Sequence, residues 1–386
     1  NIGELRETDA LLSGGGNASG AISFLKIYDD GAGTIKSGGK SRRAARMTMM
    51  DQDHPDIIKF IRSKVGEDRK ALVLMKNGYS GGMDGEAFTT VTLQNTNITV
   101  RLDEHFFEQL EKGGEIELKS VKTGKVLKKV SAERMMKEIA YGSWRVGDPA
   151  VMYTGVIDMM HTAPNSGEQR ATNPCGEYMF LNDTSCNLAS SNLLAFSDEK
   201  GNFDVNGFIR ANKIMATTQD ITNDAASYPV RDIAEISPEF RTIGTGEAGL
   251  GSLLMRKGIP YNSEKARALA AAITAIMTGT VYETSAEMAK NLGTFTHYEF
   301  NKEPMMRVME KHRKSLDDIA WEEVDDPELK KQAYAVWERV ISKGKENGFR
   351  NAQATVIAPT GTISYLMGIQ DFTGIEPALS LIIGKD

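Results

Sequence analysis

Cysteine is scarce: the chain holds two, Cys175 and Cys186. So few exclude a disulfide scaffold and a cysteine-rich zinc module, and both thiols become candidates for chemistry. Long hydrophobic runs are also lacking. The longest apolar stretch, residues 270–281, is about half a membrane span and reads as a buried helix. With no cleavable signal, the expected location is the cytoplasm, without a membrane partner. An excess of positive charge is missing as well: 46 basic against 52 acidic residues give a net charge of -6. That balance excludes a general polycation for nucleic acid.

What is present is an enzyme-sized chain of 386 residues with 37 glycines gathered in a few loops, a texture of tight backbone around ligands. Three glycine turns lie within residues 13–39. Helices are expected from Ile57, over 132–146, 205–224 and 263–292, and over 305–312 and 329–344. Apolar and polar residues alternate within 71–100, which ends in a strand before a helix carrying Phe106, Phe107 and Leu110. No repeat and no linker divides the chain, so a single mixed α/β core is expected. The chain begins with Asn1 rather than Met, and a piece of a longer protein is at least as apt as a processed one.

The chemical centre is Asn173-Pro174-Cys175-Gly176-Glu177. In an extended or cavity-crossing segment, alternation sets Asn173, Cys175 and Glu177 on one side. A thiolate nucleophile with Glu177 as base fits this set, but no histidine is local. A carboxylate neighbour also opposes thiolate formation; it does not penalise a neutral thiol or a sulfur radical. Cys186, eleven residues on, is either a buried residue or a redox thiol, and spacing does not choose. Residues 351–358 read as a buried strand leading into Pro359-Thr360-Gly361-Thr362-Ile363-Ser364, either a phosphate cradle or an ordinary strand-to-helix turn. No Gly-Lys-Ser/Thr follows. Lys36-Ser37-Gly38-Gly39-Lys40-Ser41-Arg42-Arg43 is a dense basic loop, suited to polyphosphate or simply solvated, without an aromatic residue to stack bases.

Taken in order, these segments resemble the catalytic polypeptide of the adenosylcobalamin-dependent ribonucleotide reductases. The likeness also rests on Asp53-His54-Pro55-Asp56, Asn97-Ile98-Thr99-Val100, Gly147-Asp148-Pro149, Arg241-Thr242-Ile243-Gly244, Gly258-Ile259-Pro260-Tyr261 and Gly374-Ile375-Glu376-Pro377. It spans essentially the whole chain. The resemblance implies an α/β fold, a portion of the ten-stranded barrel shared with glycyl radical enzymes. It implies that a deoxyadenosyl radical takes hydrogen from Cys175, whose thiyl removes the ribose 3′-hydrogen. Glu177 would take the 3′-OH proton, Asn173 would hold the ribose hydroxyls, and Cys186 would be one of two reducing thiols.

By the same likeness, Pro359, Thr360, Gly361, Thr362 and Ser364 would bind substrate phosphate. Ser13 to Gly20, with Lys36, Ser37, Gly38, Gly39, Lys40 and Arg42, would bind a deoxynucleotide or ATP effector. Magnesium would accompany the nucleotides, with no protein metal cluster, and thioredoxin or glutaredoxin would supply electrons. The family's second reducing cysteine, its second barrel half and its C-terminal cysteine pair are not in these residues. The expectation is a central portion acting with complementary polypeptides or as a homo-oligomer. Two alternatives stand: the large subunit of an oxygen-dependent reductase, whose motif is usually Asn-Leu-Cys-x-Glu, and a non-catalytic nucleotide-binding fragment.

Overall fold

The computed structural model of the chain describes residues 1–35, 44–82, 85–369, 373–378 and 380. It contains two compact units, Asn1–Met159 with Gln169–Met179, and Met160–Glu168 with Phe180–Asp386. The chain changes unit three times between residues 159 and 180, so no linker composition marks the boundary. Where the sequence reads as one core, there are two units.

The first unit runs α1 (Ala21–Thr34), β1 (Arg46–Asp51), α2 (Ile57–Lys76), β2 (Thr96–Leu102), α3 (Glu104–Glu111), β3 (Glu115–Lys119), β4 (Val126–Ser131), α4 (Ala132–Val146), β5 (Ala150–Tyr153) and β6 (Ala171–Thr172). β1, β2 and β5 form a parallel sheet in that order, with Arg46 opposite Thr96 and Thr99 opposite Ala150. Parallel neighbours require a crossover. α2 lies in the first; α3, the antiparallel β3–β4 ribbon and α4 make the second. Ile98, Val100 and Leu102 are buried in one cluster with Phe60, Phe106 and Met135 from the flanking helices.

Buried polar groups fix where these elements begin. Asp29 of α1 is 2% exposed and accepts the N–H groups of Leu93 and Asn95 and the Thr96 hydroxyl at 2.7, 2.9 and 2.8 Å. That set holds the start of β2. At the other ends, Gln52 donates to Asp103 Oδ1 at 2.6 Å and accepts the Asp103 N–H at 3.0 Å, tying β1 to β2. Asp103 also caps α3 through the Phe106 N–H at 2.9 Å.

After β7 (Met179–Phe180), the second unit runs β8 (Asn187–Asn192), α5 (Val205–Ala225), α6 (Arg231–Phe240), β9 (Ile243–Ala248), α7 (Leu250–Arg256), α8 (Glu264–Leu292), α9 (Tyr298–Ser315), α10 (Pro327–Asn347) and α11 (Gly361–Leu366). β8 and β9 are parallel, from Asn187 opposite Ile243 to Asn192 opposite Ala248. The strand expected over 351–358 does not form; Thr355 makes an isolated parallel bridge to Thr245. Residues 353–356 exchange bonds with β9, Ile243 N–H to Gln353 O at 2.9 Å and Val356 N–H to Thr245 O at 3.1 Å. The Asn351 amide instead donates to Asp220 and to the Arg241 carbonyl.

α8 is buried on every side from Ile276 to Ala286, where its sequence reads as a single core-facing stripe. It packs against both α5 and α10. The Trp337 indole N–H donates to the Ala275 carbonyl at 3.0 Å, and buried Glu283 receives Arg339 at 2.8 Å and Lys343 at 2.6 Å. No helix among the described residues is long and apolar enough to cross a membrane.

Glu247 on β9 is 1% exposed; one oxygen accepts from Thr274 Oγ1 at 2.7 Å, and the other is buried without a hydrogen-bond partner among the described residues. Burial pushes its carboxyl up to about 7, against a lowering by the Thr274 hydroxyl. The folded state therefore keeps a proton that the unfolded chain releases near pH 4.5. Stability contributed by this group is present below pH 4.5 and is lost as pH rises towards 7, by about 3 kcal/mol in all. Glu247→Gln is predicted to remove that part of the slope and to be the more stable form at pH 8. Urea unfolding at pH 5 and pH 8 checks this; equal slopes for parent and variant would refute it.

Candidate active site

Pro174 and Gly176 interrupt any extended run through residues 173–177, and the chain turns. Gly176 has φ +85° and donates its N–H to the Asn173 carbonyl at 3.0 Å; this left-handed conformation favours glycine. The Asn173 N–H reaches Tyr178 O at 3.3 Å, closing the loop. Across it, Asn173 Nδ2 donates to Glu177 Oε2 at 2.5 Å, while Asn173 Oδ1 accepts the Tyr178 N–H at 3.0 Å. Cys175 sits in the turn and is exposed. The amide and carboxylate expected together are together, but through a tight turn and not through strand alternation.

The segment is tethered to the parallel sheet of its own unit. Gln169 Nε2 donates to the Met179 carbonyl at 3.1 Å, bridging the two ends of the loop. Arg101 at the end of β2 pairs with Asp51 at the end of β1 at 2.6 Å and reaches the Gln169 carbonyl at 3.5 Å. Arg170 pairs with Glu4. None of Arg101, Gln169 and Asp51 stands out in the sequence, because a single Arg or Gln among polar neighbours carries no motif. Beside this tether lies a cavity of about 920 Å³ lined by Asp51, Asp53, Arg101, Asp103, Glu117 and Lys119 among others. Burial first, and then the Asp51 charge, raise the Asp53 carboxyl above its ordinary range. Among the described residues, none expected in the site lines this cavity.

Cys186 belongs to the second unit and precedes β8; it is partly exposed, with Sγ 3.8 Å from Asn187 O. The phosphate-loop candidates also lie there. Thr360, at φ +52°, precedes α11, and Gly361 and Thr362 are exposed. Ser364 is fully buried and its hydroxyl donates to Gly361 O at 2.6 Å, so it braces the turn. The Pro359 carbonyl receives the Gly374 N–H at 3.0 Å. Lys36, Ser37, Gly38, Gly39, Lys40 and Arg42 lie outside the described residues.

An exposed thiol between a hydrogen-bonded amide and carboxylate, on a loop tied to a parallel sheet, makes this an α/β protein with a polar thiol site. The family model described as "Ribonucleotide reductase, barrel domain" matches residues 1–386, and the chain belongs to that family. The vitamin B12-dependent ribonucleotide reductase of Rhodopirellula baltica is 44% identical over 385 residues, 99% of this chain and 37% of the relative. That of Streptomyces coelicolor is 43% identical over 387 residues, 99% of this chain and 40% of the relative. The vitamin B12-dependent ribonucleoside-diphosphate reductase of Thermoplasma acidophilum is 29% identical over 385 residues, 99% of this chain and 41% of the relative. The chain thus spans about two fifths of the length of these relatives.

The residue after α6 carries a buried ion pair just before β9. Arg241 is 5% exposed and donates to Asp220 Oδ1 and Oδ2 at 2.9 and 3.0 Å, and to Asp224 at 2.6 Å. Replacing it leaves the buried Asp220 short of its main partner. Arg241→Met is predicted to cost about 3 kcal/mol, the scale for breaking a buried pair from one side. Denaturant midpoints measure it, and a cost under about 1 kcal/mol, the exposed-pair value, would contradict it.

Proposed function

We propose that the chain is the central catalytic portion of an adenosylcobalamin-dependent ribonucleotide reductase, converting ribonucleotides to 2′-deoxyribonucleotides. The observation that carries the reading is the Asn173–Glu177 hydrogen bond with exposed Cys175 between its partners. The names of the relatives and the Asn-Pro-Cys-Gly-Glu motif favour cobalamin over oxygen-dependent radical generation. In this reading the two parallel sheets are parts of the family's ten-stranded barrel.

Adenosylcobalamin, when bound, supplies the radical chemistry that takes a hydrogen atom from a thiol, and an exposed Cys175 suits that encounter. The sulfur of Cys175 then takes the ribose 3′-hydrogen. Glu177 accepts the 3′-OH proton while the 2′-OH leaves as water, and the Asn173 amide, which already orients Glu177, holds the ribose hydroxyls. Two thiols, Cys186 and one supplied from outside these residues, give two electrons and two protons and become a disulfide. Cys175 returns its hydrogen to C3′. The sum is ribonucleotide plus two thiols giving deoxyribonucleotide, water and a disulfide.

Residues 359–364 bind the substrate phosphate through exposed Gly361 and Thr362. Residues 13–20 and 36–43 take a nucleotide effector, with magnesium accompanying the nucleotides. Thioredoxin or glutaredoxin regenerates the thiols in the cytoplasm.

Combined with polypeptides carrying the flanking portions, adenosylcobalamin and a dithiol, the chain is expected to form deoxyribonucleotide, measured chromatographically. Cys175→Ala is expected to form none, and Glu177→Gln to lose about 10²- to 10⁴-fold, the usual weight of general acid–base catalysis. Product from Cys175→Ala would overturn the assignment.

A further inference from the structure

Two neighbouring residues of α5 hold the residues that flank Cys186, Gln219 directly and Asp220 through Arg241 and Thr242. Gln219 of α5 is 4% exposed; its Nε2 donates to the Asn187 carbonyl at 2.8 Å, and its Oε1 accepts from Thr245 Oγ1 of β9 at 2.6 Å. Both ends of the amide are thereby committed, and its orientation is fixed. The Asn187 side chain adds bonds to Gln219 O at 3.2 Å and Asn223 Oδ1 at 3.4 Å. The residue after Cys186 is therefore held to α5 by both backbone and side chain.

The residue before Cys186 is held as well. The Ser185 carbonyl accepts from Thr242 Oγ1 at 2.5 Å. Thr242 follows Arg241, which Asp220 of α5, next to Gln219, grips through two side-chain bonds and its own carbonyl at 2.9 Å. Across the register, Gly244 stands opposite Leu188, and a Cβ there would lie 2.6 Å from Cys186 Sγ. The sulfur thus occupies space that only a glycine leaves open.

We infer that α5 is the positioning element of Cys186, pinning the Asn187 carbonyl through Gln219 and backing, through Arg241, the Thr242 hydroxyl that pins the Ser185 carbonyl, so that Cys186 is the stationary member of its thiol pair and the partner thiol is the one that travels. This rests on the reading of Cys186 as a reducing thiol. A disulfide needs its two Cα atoms within about 7 Å, so one strand must yield at each oxidation and reduction if the pair starts further apart. With Ser185 and Asn187 clamped, and Gln219 and Thr242 buried, the Cys186 strand does not yield. Gln219, Asp220 and Thr242 are positioning residues here, not catalytic ones.

The test uses the full chain with Cys175→Ser, which leaves Cys186 as its one thiol, and follows iodoacetamide alkylation from pH 6 to 10. Gln219→Met and Thr242→Val are each expected to raise the alkylation rate by about three- to tenfold, the scale of one lost hydrogen bond, and to alter its pH profile. Thr242→Ser, which restores the hydroxyl, is expected to return the parent rate and profile. Should Gln219→Met not fold, the Thr242→Val and Thr242→Ser pair decides alone. Parent rates in all folded variants, or no recovery in Thr242→Ser, would overturn the positioning role. Turnover by Cys186→Ser in the reconstituted enzyme tests the reducing role separately, so the two readings fail independently.

Discussion

The hydrogen bond from the Asn173 amide to the Glu177 carboxylate, at 2.5 Å, is the constraint on which the candidate site depends. It joins residues four apart, which requires the chain between them to reverse, and the left-handed Gly176 makes that reversal possible. Asn173 takes part through backbone and side chain together: its carbonyl receives Gly176, its N–H reaches Tyr178 and its Oδ1 receives the Tyr178 N–H. A carboxylate held by a charge-assisted bond loses little further freedom when it meets a substrate hydroxyl. The thiol in the same turn is exposed. Rigidity in the flanks and exposure at the sulfur follow from one local geometry.

Sheet placement follows a different rule, in which carboxylates and amides satisfy the loose ends of parallel strands. Asp29 gathers the donors that precede β2, and Gln52 and Asp103 exchange two bonds at the strand ends. In the second unit Asp220 and Gln219 do the same for the segments that begin β8 and β9. Asp29, Gln52, Gln219 and Asp220 are buried and so must be paired. The pairing in turn fixes where each strand starts, which is the quantity a thiol placed just before β8 depends on.

Legibility in the sequence tracks how local the cause is. The helices read at 132–146 and 263–292 have local causes: Ser131 and Ser263 cap them and Gly147 and Gly293 end them, all within a few residues. The burial of α8 was legible only in part: residues 270–281 read as a buried helix, but Glu283, Thr284 and Ser285 are buried too because α5 and α10 cover them. Segment 351–358 looked like a full strand from its apolar residues, yet the Asn351 side chain is drawn to Asp220, 131 residues away. Asn173, Cys175 and Glu177 were legible as a set, whereas the turn joining them depends on a backbone angle that alternation ignores. The division into two units was hidden for the same reason: the chain changes unit within a short stretch of ordinary composition.

The two conspicuous glutamates show why a shifted carboxyl alone does not locate chemistry. Glu247 has the raised pKa, near 7, that is associated with acid–base catalysts. Strand alternation decides its meaning. On β9, Gly244 and Gly246 face the Cys186 sulfur and the Val356 segment, whereas Thr245 and Glu247 face Gln219 of α5 and Thr274 of α8. Glu247 therefore points into the helix layer, away from the thiol face, and its raised pKa records desolvation. Glu177 sits partly exposed beside an amide and a thiol, and its claim rests on what surrounds it. For Glu247 the face of the strand marks a buried structural acid without appeal to the titration.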